Sequence, residues 1–179
     1  WYVFAATAGP EGSPAMLIGR ERQKLIQACV YFAANTQGCG KVKLFKLLYL
    51  LDFAHFRETG RSVTGLDYLA WRLGPVPIEL AQEWDELEPD LAEAVDHVRD
   101  RVVAKIAFDD SHFTRRELNL LRQLAERYAS DLSMRMVNVT HADRSPWATI
   151  WDGGRGSNQR IPYALAVSDD AANREAVLE

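Results

Sequence analysis

Residues 41–59, KVKLFKLLYLLDFAHFRET, decide how the rest of the chain must be arranged. Ten of the fourteen side chains from Lys43 to Phe56 are apolar, and at helical spacing they point all round the axis. A helix of that kind needs other elements on every side, so 41–59 is predicted to be the core pillar, closed by Gly60 as its C-cap. Its apolar run, Leu44 to Phe56, falls short of the roughly 18–20 residues that cross a bilayer, and no membrane partner is expected. Lys46, Asp52 and His55 interrupt the run, and a polar group buried there needs a partner. A structural hydrogen-bond network is the favoured reading. The alternative is a functional pocket to which the next segment brings Asp67 and Arg72.

Working outward, Leu25, Cys29 and Phe32 recur at i, i+4 and i+7 in a helix predicted over Glu21 to Thr36, ended by Gln37-Gly38-Cys39-Gly40. After the pillar, Leu66 to Leu73 reads as a short strand or extended segment, and Gly74-Pro75-Val76-Pro77 reads as a stiff hinge. Trp71 is expected to plug the core, with Arg72 facing the other way towards Asp67 or Asp52. Pro77 suits a first helical position, so a helix is predicted to about Leu87. Leu91 to Asp96 reads as a helical turn, and Arg101 to Phe108 as a second strand pairing with the first.

Thr114-Arg115-Arg116-Glu117 is a capping box, flanked by a hydrophobic staple of Phe113 and Leu118. The helix it opens carries Leu118, Leu121, Leu124, Ala125 and Tyr128 on one face. Leu132, Met136 and Val139 mark a short helix leading to Thr140-His141. Ser145 as N-cap and Pro146 at the first position start another, running to Trp151. Gly153 to Asn158 is read as a loop, and Ile161-Pro162-Tyr163 returns to the core. The expected fold is α+β and predominantly helical, a compact helical domain with a small antiparallel β element of two short strands. It divides into residues 1–16 (tail, linker or expression-derived), 17–167 (the domain) and 168–179 (a polar tail).

The 179 residues are 47% hydrophobic and 26% charged, which suits one globular domain with a real core. The formal net charge of −4 provides no basic field to gather phosphates, so nucleic acid is not the expected partner. The local basic groups Lys41, Lys43, Lys46 and Arg115, Arg116 are read as solvated helix faces. Two cysteines, Cys29 and Cys39, are too few for a disulfide framework and suit a reducing cytoplasm.

The sharpest polar cluster is Thr140-His141-Ala142-Asp143-Arg144-Ser145. A hydrolase using His141 and Asp143 is one reading, but no Gly-x-Ser-x-Gly elbow accompanies it. A zinc site would need ligands that no Cys-x-x-Cys or His-Glu-x-x-His supplies. The favoured reading is that His141 and Asp143 hydrogen-bond backbone at a helix-to-loop junction. Gly153-Gly154-Arg155-Gly156-Ser157 lacks the strand and the Gly-Lys-Ser/Thr of a phosphate loop. No catalytic residue, metal or cofactor is expected.

Lys46-Leu47-Leu48-Tyr49-Leu50, then Asp67-Tyr68-Leu69-Ala70-Trp71-Arg72-Leu73-Gly74-Pro75-Val76-Pro77, then Thr140-His141 and Ser145-Pro146-Trp147, in this order, resemble the Panacea domain, the SocA-like antitoxin domain. The resemblance runs from about Gly19 to Val167. It implies a mostly helical, non-enzymatic antitoxin that binds a growth-inhibiting toxin encoded beside it, in some cases one resembling alarmone synthetases. The alternative it implies is a proteolytic adaptor that hands the toxin to a host protease. Some relatives carry a DNA-binding helix-turn-helix, of which no segment is found here. Such a protein acts through a few Trp, Tyr or Arg anchors in an interface of roughly 1,600 Å². Arg57, Arg61, Arg144, Trp151 and Arg155 are the candidates, because they sit at element ends or in loops. Lys46, Asp52, Trp71, Arg72, His141, Asp143 and Trp147 are assigned structural roles.

Overall fold

A computed structural model describes residues 14–167, with side chains from Gly19 onward; residues 1–13 and 168–179, which hold most of the two expected tails, lie outside the described residues. Helix α1 (Pro14–Asn35) is followed by α2 (Lys41–Thr59), and α2 packs against α1, α5 (Arg115–Arg127), α6 (Ser133–Thr140) and strand β2 (Gly74–Pro77). The pillar is as predicted. Leu44, Leu47, Leu48 and Leu51 are buried, and Gly60 ends the helix in the left-handed region, its N–H donating to Phe56 O. One stripe is not covered: Leu50 and Ala54 are half-buried and Arg57 is exposed.

Two of the three lysines of α2 correct the expectation of a solvated face, while Lys41 is exposed. Lys43 and Lys46 are 0% and 1% exposed. Each reaches a backbone carbonyl instead of water: Lys43 reaches carbonyls just beyond the ends of α1 and α5, and Lys46 one within strand β2. Lys43 Nζ donates to Gln37 O (2.8 Å) and Ala129 O (3.2 Å).

The β structure is two separate hairpins, four strands where two were expected. β1 (Tyr68–Trp71) pairs antiparallel with β2, Trp71 opposite Gly74, and β3 (Val95–Val98) pairs with β4 (Arg101–Ala104). The 101–104 strand therefore does not pair with β1. A two-residue turn at Arg99-Asp100, with Arg99 at φ 58°, gives it a nearer partner. The turn expected over 91–96 splits into α4 (Pro89–Ala94) and β3. The Gly-Pro-Val-Pro hinge is itself an edge strand, where prolines are tolerated. The free edge of β1 is taken by the chain after α7 (Pro146–Trp151): Asn158 N–H donates to Ala70 O, Ala70 N–H to Gln159 O and Ile161 N–H to Tyr68 O.

Alternation along β1 turns Tyr68 and Ala70 inward and leaves Trp71 45% exposed, so Trp71 is not a core plug. Arg72 is also exposed and makes neither expected ion pair. Asp67 is taken by Arg160 at 3.0 Å, and Asp52 is enclosed by its own partners. Helix α3 (Ile78–Gln82) is shorter than predicted, with Pro77 as its N-cap. The capping box of α5 has both reciprocal bonds, and Ser145 Oγ caps α7 by accepting from Ala148 N–H at 3.1 Å. In α6 the stripe is shifted: Leu132 is exposed, while Met136, Val137 and Thr140 face the core.

Candidate functional site

The sequence pieces that are far apart along the chain converge on one platform. From α2, Lys46 Nζ donates to Pro75 O at 2.8 Å, tying the pillar to the first hairpin. Gly74, at φ 101°, lies over this lysine. A Cβ there would stand 2.7 Å from Lys46 Cε and 2.8 Å from Thr140 Oγ1, so the close approach of β2, α2 and α6 requires glycine. From α7, Trp147 Nε1 donates to Trp71 O at 3.0 Å, and its ring stacks flat on His141, with centroids 3.7 Å apart and planes 2° from parallel. Trp151 continues the stack on Trp147 at 5.5 Å.

The electrostatics of this platform follow from burial. With only a carbonyl as hydrogen-bond partner, the Lys46 ammonium is poorly compensated and its pKa is pushed down to about 7. Burial, with Lys46 adding a like charge, also lowers the pKa of His141, so its ring on Trp147 is held towards the neutral form. His141 Nε2 is buried with no hydrogen-bond partner among the described residues. Asp52 lies deeper. Its carboxylate accepts from Val63 N–H and Thr64 N–H (each 2.8 Å), from Thr64 Oγ1 (2.5 Å) and from Tyr68 Oη (2.7 Å). Burial nevertheless raises its pKa against the pull of these bonds. His55 Nδ1 lies 2.7 Å from Arg61 O, closing the turn after α2.

The polar cluster 140–145 does not act as a unit. His141 lies on Trp147, and Asp143 is exposed on the wall of a groove between helices. Ser145 Oγ donates to Thr140 O while accepting the α7 cap bond. The three side chains assemble no nucleophile beside a base. Among the described residues no group of three or more His, Cys, Asp or Glu is placed to hold a metal ion, and no helix is long and apolar enough to cross a membrane. The glycine-rich loop also has a packing role: a Cβ on Gly156 would overlap Ile150 O.

The five candidate anchors fall in three places. Trp151 is the last residue of α7 and half-buried, and Arg144 and Arg155 lie in the segments flanking the helix, Arg155 paired with Asp152 through two bonds of 2.7 and 2.8 Å. Arg57 lines the groove between α2, α5 and α6, and Arg61 lines a different cleft beside α1. The platform itself presents a surface that includes Trp71, which the sequence reading assigned to the interior. Trp71 (45%), Arg72 and Leu73 (51%) stand out from the tip of the first hairpin. The period-2 alternation through Tyr68 and Ala70 was the signal that could have placed Trp71 outside.

The model of the family described as antitoxin SocA-like, Panacea domain, matches residues 44–148, from α2 through both hairpins to the first turn of α7. No curated protein and no solved structure matches the chain.

Proposed function

The chain belongs to the SocA-like antitoxin family of Panacea domains, and from that membership we propose that it neutralises a cognate growth-inhibiting toxin by direct protein–protein contact. The family match is the observation that carries this reading. The shape of the platform supports it, since a binding protein gains most from large side chains held rigidly in the free state. Trp71 and Leu73 are exposed, yet their hairpin is tied by Lys46 from below and by Trp147 from the side. Arg144, Trp151 and Arg155 extend the same set of anchors along α7, with Arg57 and Arg61 as further contacts. The toxin, a product of the neighbouring gene and in one expected form an alarmone-synthetase-like enzyme, is inhibited by being covered. The complex forms in the cytoplasm, where Cys29 and Cys39 stay as free thiols.

Co-expression with the neighbouring gene product tests the proposal. Growth should be restored, a stoichiometric complex should purify, and Trp71→Ala/Leu73→Ala should weaken it without unfolding the chain. Harmless expression of the neighbouring protein alone would overturn the reading. Rescue accompanied by protease-dependent loss of the toxin would replace inhibition with adaptor function.

A further inference from the structure

The uncovered stripe of α2 has a counterpart across a groove. On α2, Leu50, Ala54 and Arg57 follow one another at i, i+4 and i+7; on α5, Leu120, Leu124 and Arg127 do the same. The two stripes face a groove of about 470 Å³, with Val139 of α6 on the third side. The helices run antiparallel, because Arg116 at the start of α5 meets Glu58 at the end of α2 (3.6 Å), while Lys43 near the start of α2 reaches Ala129 O beyond the end of α5 (3.2 Å). The two arginines therefore stand at opposite ends of the groove, separated by about three helical turns, on the order of 18 Å.

Neither arginine has a carboxylate partner among the described residues. Glu58, the nearest acid to Arg57 on α2, is turned to Arg116. Arg127 lies over the ring of Tyr128, its guanidinium 5.5 Å from the centroid, which holds it at the rim. A trough that exposes Leu50, Ala54 and Leu120, carries the acids Glu58 and Asp143 on its walls and has a guanidinium group at each end suits one kind of occupant. We infer that this groove receives an amphipathic helix of the toxin, whose apolar stripe lies between Leu50, Ala54 and Leu120 and whose Asp or Glu side chains, about eleven residues (three turns) apart, pair with Arg57 and Arg127. Asp143, on the wall formed by the α6–α7 loop, accepts from a donor on the same helix. The inference rests on the toxin-binding reading and adds to it the chemistry of the bound segment.

The test uses the full chain and the toxin encoded beside it. Arg57→Glu/Arg127→Glu should weaken the complex on the order of 100-fold, since two charge-assisted pairs become repulsive. Both residues are exposed, so the melting temperature should hold. Ala54→Arg, which fills the trough, should also weaken binding, and hydrogen exchange in the wild-type complex should show protection at 50–57 and 120–127. A wild-type complex that forms, with both variants binding within twofold and no protection on these helices, overturns the groove while leaving the antitoxin reading intact. Self-association abolished by Ala54→Arg with toxin affinity unchanged overturns it in favour of a second copy of this chain. Failure of the wild-type chain to bind the toxin at all removes the antitoxin reading itself.

Discussion

Lys46 is 1% exposed and donates only to Pro75 O, and this sets a pH dependence with a definite sign. In the unfolded chain the amine holds its proton up to its ordinary 10.5, whereas the folded protein releases it near 7. Between those values the unfolded state binds the extra proton, so the Lys46 contribution to stability rises with pH, by at most about 1.4 kcal/mol per unit, and is flat below 7. Lys46→Met should remove this slope. Urea midpoints of both proteins from pH 7 to 10 check it, the difference isolating Lys46 from the thiols and phenols that titrate nearby. Asp52 poses the opposite problem, because its carboxylate serves four donors in a fully buried place. Asp52→Ala strands those donors and should cost about 3–5 kcal/mol in urea unfolding. The polarity of both residues in an apolar helix was legible in the sequence. Their partners were not, because each lies on a segment brought up by the fold.

At the scale of elements, local rules held wherever the stabilising contacts lie within one turn. Thr114 and Glu117 form their reciprocal cap, and Ser145 caps the α7 turn opened by Pro146. Thr114→Ala should cost about 1 kcal/mol. Glu117→Ala should cost more, since Glu117 also accepts from Lys24 of α1 at 2.6 Å; comparison of the two melting curves separates cap from ion pair. Local rules failed for the strands, where the choice of partner decides. Val95 and Asp96, read as the end of a helical turn, joined strand β3 because Arg101 to Ala104 was two residues beyond it, and Gly74 to Pro77 became a strand because β1 offered an edge. Gly74→Ala should cost about 2 kcal/mol from the positive φ alone and more from its crowding of Lys46 and Thr140. Thermal unfolding measures the loss.

For the whole molecule, Trp147 lies inside while Trp71, expected to plug the core, lies at the surface. Trp147 is 5% exposed, stacked between His141 and Trp151 and bonded to Trp71 O, so Trp147→Ala should cost about 3–5 kcal/mol. Trp71→Ala should change stability by under about 1 kcal/mol and be read instead in the affinity for the toxin. Denaturation and binding measured on the same two variants separate scaffold from surface. By itself the sequence determined the helical class, the central place of α2, the caps and the family, because each rests on periodicity, turn chemistry or a motif carried within a few tens of residues. Only the tertiary structure decided the strand partners, the burial of Lys43 and Lys46, the exposure of the Trp71–Leu73 tip and the groove between Arg57 and Arg127. Those outcomes depend on which surfaces cover one another. A side chain's exposure belongs to the neighbours that packing brings to it, and those neighbours lie up to a hundred residues away.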